Sequence, residues 1–217
     1  MRWAPRAILL DMDGLMVDSE PLWFRVERDY ARARGADWTA AQAAANVGRG
    51  IPATLVTMRA TLGIAVDPGR DVDLILDAFA AGVADLELKP GCAELLLAAR
   101  GRASLALASS SPRRLVDAVV ARFDLASVLD AIVTGDDVRR TKPAPDIFLL
   151  AADRLGVAPR ECVVLEDSIA GATAGRAAGM TVIAVPEGAH EGRGFEAVAD
   201  AVVADLHEAR GLISLGA

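Results

Sequence analysis

The sequence predicts an α/β fold, a parallel sheet with helices on both faces, interrupted once by a helical insertion. Six short apolar runs carry that reading: AILLD (7–11), SLALAS (104–109), AIVTG (131–135), CVVLED (162–167), TVIAVP (181–186) and AVVAD (201–205). They are continuously apolar rather than alternating, which suits strands buried on both faces. Between the first run and the second lie roughly ninety residues with helical stretches and no comparable strand. At 217 residues, the chain can bury one sizeable core and carry a smaller insertion.

In chain order, AILLD enters the core and stops at Asp11. The stretches PLWFRVERDYARARG, IPATLVTMRATLG and VDLILDAFAAGVADL follow with helical spacing. We therefore expect a core domain over 1–18 and 88–217 and a helical cap domain over 19–87. LKPGCAELLLAARG re-enters the core, with Pro90 and Gly91 opening a helix and Gly101 closing it. The remaining strands alternate with helical segments to the end.

Composition excludes several roles. A net charge of −7 argues against a nucleic-acid partner, because phosphate backbones are held by excess Lys and Arg. No apolar run approaches the roughly 18 residues of a membrane helix. The start MRWAPRAILLDMDG reaches Asp11 without a small-residue cleavage site, so neither a signal peptide nor a membrane association is expected, and the expected location is cytoplasmic. Cys92 and Cys162 lack metal or redox spacing and read as small buried hydrophobes.

The informative polar residues sit at predicted strand ends, where ligands of open parallel sheets collect. Asp11 and Asp13 end the first strand, Ser109, Ser110 and Ser111 the second, and Glu166 and Asp167 the fourth; Lys142 lies in the loop after the third. In ASSSPRR, Ser111 reads as a helix N-cap and Pro112 as the first helical residue. Such an end attracts an anion, and phosphate is the usual occupant. Lys142 supplies a point charge on the same rim, and lysine is rare here: Lys89 is the only other. Taken singly, the serines could be a plain capping box, the lysine a surface residue and the DxD a polar turn.

Two carboxylates about 4 Å apart repel by roughly 4 kcal/mol at an effective dielectric of 20. Asp11, Asp13 and Asp167 could not gather around a phosphate dianion unaided. A divalent cation resolves this, and few, hard oxygen ligands shared with a phosphate favour Mg²⁺.

DMDGLMVDSEP, ALASSSP, TKPAPDIF and VLEDSIAGATAGRAAGM together resemble the four motifs of the haloacid dehalogenase superfamily. The resemblance spans nearly the whole chain and points to the branch of beta-phosphoglucomutase-like sugar phosphatases with a helical cap. It implies a modified Rossmann-type parallel sheet with the cap inserted after the first strand. It also implies Asp11 as nucleophile, Asp13 as general acid and base, Ser109 with Ser110 as phosphate ligands and Lys142 as charge stabiliser. Mg²⁺ would be held by Asp11, Asp13 and Asp167, with Glu166 ligating or orienting it. The substrate would be a small phosphorylated metabolite.

Within that superfamily, Asp13 argues against a dehalogenase, whose leaving halide needs no proton. Residues 1–88 contain no lysine, which removes the Schiff-base chemistry of phosphonatases. Beta-phosphoglucomutases carry a histidine where this chain has Trp23, and DSEPLW looks more like 2-deoxyglucose-6-phosphate and hexitol phosphatases. A mutase is the alternative. A non-catalytic module binding a phosphorylated metabolite would keep Ser109 and Lys142 but need neither Asp11 nor Asp13. In the cap, Trp23 could stack on a sugar ring or pack in the core beside Phe24 and Tyr30. Arg49, between glycines in NVGRGIP, could grip substrate or be solvated. Arg113 could touch phosphate or solvent, and His190 and His207 have no partners in register.

Overall fold

A computed structural model describes residues 2–46, 50–186 and 194–216. The chain divides into two compact units, one of Met1–Asp18 with Glu87–Ala217 and one of Ser19–Leu86.

In the first unit, β1 (Ala7–Leu10) is followed after the second unit by α5 (Cys92–Ala99), β2 (Ser104–Ala108) and α6 (Arg113–Arg122). Then come β3 (Ala131–Val133), α7 (Asp146–Leu155), β4 (Cys162–Glu166), α8 (Ile169–Ala177), β5 (Thr181–Ala184), β6 (Ala201–Val202) and α9 (Leu206–Leu212). The strands form one sheet in the order β3-β2-β1-β4-β5-β6, parallel throughout. All six predicted runs are strands of this Rossmann-like α/β sheet. Every residue of β1 and β4 is buried, which is why those runs lack polar alternation. On one face, Phe148 and Ile147 of α7 pack with Val164, Val182 and Phe195.

The strand order matters for function. The chain leaves β1 to build β2 and β3 on one side, then returns to build β4, β5 and β6 on the other. The crevice beyond Leu10 and its partner Leu165 is therefore a topological switch point, where doubly wound sheets bind ligands.

The second unit holds α1 (Glu20–Arg32), α2 (Ala40–Ala44), α3 (Ile51–Leu62) and α4 (Pro68–Gly82). Its apolar centre includes Trp38, Leu55, Met58 and Phe79, all essentially inaccessible. A buried polar clamp ties α1 to α4. Asp71 accepts hydrogen bonds from the Tyr30 hydroxyl at 2.6 Å, the Arg34 guanidinium at 2.8 Å and the Asp67 amide at 2.8 Å. Arg34 also lies over the Tyr30 ring, 3.7 Å from its centroid. Asp71→Ala should therefore destabilise this unit by about 2–4 kcal/mol, because it strands a buried hydroxyl and a partly buried guanidinium. Urea unfolding followed by circular dichroism checks this, and a change below about 0.5 kcal/mol would mean the clamp adds nothing net. Among the described residues, no helix is long and apolar enough to cross a membrane.

Candidate active site

The site is built at the carboxyl end of β1. The Asp11 amide donates to the Leu165 carbonyl at 3.1 Å, fixing the residue beside β4 just as the strand ends. The chain then closes a tight turn. The Met16 and Val17 amides donate to the Met12 carbonyl, and the Gly14 amide to the Val17 carbonyl, which holds Asp13 on a rigid loop.

Lys142 brings three elements together. Its ammonium donates to Asp11 Oδ1 and, at 2.5 Å, to Glu166 Oε1, and its side chain is 6% exposed. The Phe148 ring lies 5.0 Å from the ammonium and adds a cation–π contact. Burial disfavours the charged amine, but Asp11 and Glu166 more than offset it, so Lys142 titrates above the ordinary lysine range.

Asp11, Glu166 and Asp167 place carboxylate oxygens within 4.8 Å of one another. Burial, with repulsion from Glu166 and Asp13, raises the Asp11 carboxyl to about 7 against the opposing pull of Lys142. Asp167 is raised too, by burial first and then by Glu166 and Asp11. With all three acids ionised, one ammonium against three carboxylates would leave two negative charges to be balanced. An all-oxygen donor set of this charge fits a hard divalent cation such as Mg²⁺, and these three side chains are the ones that would hold it.

Asp13 lies apart from that group. Its Oδ2 accepts from the Ser111 hydroxyl at 2.7 Å and, at 3.5 Å, from the Ser109 hydroxyl. Metal ligation by Asp13 stays an expectation from the sequence; here its carboxylate accepts from the serine loop, while Asp11, Glu166 and Asp167 form the tight acid group. The serine loop also corrects the expected helix start. Pro112, not Ser111, takes the N-cap position of α6, and the Ser111 hydroxyl donates to Asp13. The first amide of α6, from Arg113, donates to Asp136 at 2.8 Å. Arg113 itself donates to Asp137 at 2.5 Å.

Ser109 is buried and accepts from the Ser111 amide at 3.1 Å, whereas Ser110 is exposed. Gly135 is required here: a Cβ at that position would lie 2.4 Å from the Ser110 carbonyl oxygen. The structure thus brings Asp11, Asp13, Ser109, Lys142, Glu166 and Asp167 to one rim of the sheet. Trp23 belongs to the helical unit, with its ring 4.1 Å from that of Phe79. Arg49 and His190 fall outside the described residues, and His207 is exposed on α9. Sequence reasoning missed two contributors, Ser168 and Asp136. The signals were present as an Asp-Ser step before a helix and as TGDD, whose Thr134 and Asp137 form a capping box.

The haloacid dehalogenase-like hydrolase family profile matches residues 5–179. Hexitol phosphatase B of Escherichia coli K12 is 35% identical over 196 residues, which cover 84% of this chain and 85% of the relative. The phosphorylated carbohydrates phosphatase of Thermotoga maritima is 34% identical over 184 residues, covering 80% and 82% respectively. The crystal structure of CbbY from Rhodobacter sphaeroides in complex with phosphate superposes with a TM-score of 0.81 at 29% identity, covering 94% of this chain and 96% of that one. With its fold, its rim of acids and serines and its relatives all in agreement, this chain belongs to the haloacid dehalogenase-like hydrolase family, in its phosphatase branch.

Proposed function

We propose that the protein is a Mg²⁺-dependent phosphatase that hydrolyses a small sugar or polyol phosphate through an aspartyl-phosphate intermediate. One observation carries the reading: two carboxylates two residues apart have opposite surroundings. Asp11 is buried against an ammonium and two further acids, while Asp13 is held by serine hydroxyls. Such a division suits a nucleophile and a separate proton carrier.

An Asp11 carboxylate oxygen would attack phosphorus, and the bond from phosphorus to the ester oxygen would break. Asp13 would give its proton to that departing oxygen, then take one from the water that attacks the aspartyl phosphate, releasing inorganic phosphate and restoring both carboxyls. Lys142 would balance charge on the phosphoryl oxygens, and Ser109 would donate to one of them. Bound Mg²⁺ would supply charge neutralisation and orientation for the phosphoryl group. The helical unit is assigned as the cap that selects the leaving group, with Trp23 and Arg49 as its candidate contacts. The relatives named for sugar and hexitol phosphates support the substrate class, and the reading places the enzyme in the cytoplasm.

Release of inorganic phosphate from a panel of sugar, polyol and small organic-acid phosphates tests the reading. Activity should disappear with EDTA and return with Mg²⁺, while Ca²⁺ should support it poorly because its looser coordination misplaces the nucleophile. Undiminished turnover in metal-free buffer would remove the metal from the mechanism. With beta-glucose 1-phosphate and a bisphosphate activator, efficient formation of glucose 6-phosphate instead of phosphate release would make the protein a mutase.

A further inference from the structure

We infer that Ser168 and Gly171, at the start of α8, are positioning residues that hold Glu166 in register with Lys142 and the acid cluster; the inference rests on the proposed metal-dependent reading of that site. Glu166 is fully buried, and its two carboxylate oxygens face different ways. Oε1 accepts from Lys142 at 2.5 Å. Oε2 accepts from both the Ser168 amide at 3.0 Å and the Ser168 hydroxyl at 2.8 Å. The same hydroxyl accepts from the Gly171 amide at 3.0 Å, so one serine caps α8 and fixes the glutamate.

Gly171 provides the space. A Cβ there would stand 1.8 Å from Glu166 Oε1, 1.9 Å from Cδ and 2.3 Å from Oε2. The carboxylate occupies the volume that any other side chain would fill. It would have to retreat by on the order of 1.5 Å to reach ordinary contact distance. Glu166 is buried and hydrogen-bonded at both oxygens, so such a retreat must break the Lys142 contact, the Ser168 contacts or both.

The consequence reaches Asp11. Lys142 is shared between Asp11 and Glu166, so the position of Glu166 sets where the ammonium sits and how the three acids are spaced. Neither Ser168 nor Gly171 touches the reacting atoms in this scheme. Both act through Glu166.

The test uses the full chain freed of metal, with Mg²⁺ alone as the probe. Thermal unfolding is followed as Mg²⁺ is titrated, and p-nitrophenyl phosphate turnover is measured in parallel. Ser168→Ala and Gly171→Ala should raise the Mg²⁺ midpoint by about tenfold or more, the size usual for groups that orient metal ligands. Both should lower kcat with KM changed less than about twofold. Ser168→Thr retains the hydroxyl and should restore the Mg²⁺ midpoint to within about threefold of wild type. Should Gly171→Ala fail to fold, the Ser168 pair decides alone. If the wild type responds to Mg²⁺ and Ser168→Ala shows the same midpoint, the positioning role is overturned while the metalloenzyme reading stands. If the wild type shows no response to Mg²⁺, that reading falls, and this inference with it.

Discussion

Asp11→Asn is expected to lose at least about a thousandfold in turnover while the protein stays folded, the size typical of removing a covalent nucleophile. An amide cannot attack phosphorus, so the chemical argument is direct. Burial and the nearby Glu166 and Asp13 disfavour the charged form of Asp11, and only Lys142 opposes them. A neutral, isosteric asparagine removes one of three crowded carboxylates and leaves Lys142 paired with Glu166. The thermal midpoint in EDTA should therefore equal or exceed that of the wild type. Two measurements check the claim: phosphate release on the best substrate of the panel and thermal unfolding of the metal-free protein. Retention of more than about a thousandth of wild-type activity would sink the nucleophile assignment. A large drop in midpoint would show that the Asp11–Lys142 pair is mainly structural.

Much of the fold could be read from the sequence because burial on both faces leaves an unambiguous mark. β1 and the first four residues of β4 are all apolar, and the acids Asp11 and Glu166 come at the strand ends while the chain is still buried. α2 was missed because its five residues are mostly alanine and none is buried, so it carries no periodic pattern; its signal is the Thr39–Gln42 capping box. α6 starts one residue later than local chemistry suggests. Ser111 is a good cap by type, yet Pro112 takes the N-cap and the Ser111 hydroxyl donates to Asp13, nearly a hundred residues away in sequence.

The site shows the same division. Which residue types meet at the rim follows from strand ends and topology. Their pairing does not, since the separation of Asp13 from the other acids depends on serine contacts across the sheet. Arg113 and Asp136 illustrate the other limit, where contacts between residues over twenty positions apart pair charges that local chemistry leaves unassigned.

Lys142→Met should combine loss of turnover with a loss of stability that Asp11→Asn does not show. Methionine matches the length of the lysine stem but leaves Asp11, Glu166 and Asp167 clustered without a cation of the chain. Each pair of ionised carboxylates at about 4 Å repels by roughly 4 kcal/mol at an effective dielectric of 20, so protons will be taken up where that costs less. Asp11 in the folded wild type stands at about 7, above the ordinary carboxylate range near 4, so its contribution is fully present below about pH 4 and is lost as pH rises toward 7. Above 7, Asp11 ionises against Lys142 in the wild type, and no further loss accrues from it. Without the ammonium the folded value must rise further, so the variant should go on losing stability through pH 8 and 9. The gap between the two proteins, measured by urea unfolding in EDTA, should therefore widen between about pH 7 and 9, reaching about 2–4 kcal/mol. Saturating Mg²⁺ should narrow it, because a divalent cation held by the same acids would replace the missing positive charge, yet turnover should stay at least about a hundredfold low if Lys142 has the proposed role of balancing charge on the phosphoryl oxygens. Lys142→Arg should not rescue either property, since a planar guanidinium cannot fit a pocket built for a point charge over the Phe148 ring. A gap that stays constant with pH would show that Lys142 acts by packing and not by balancing charge.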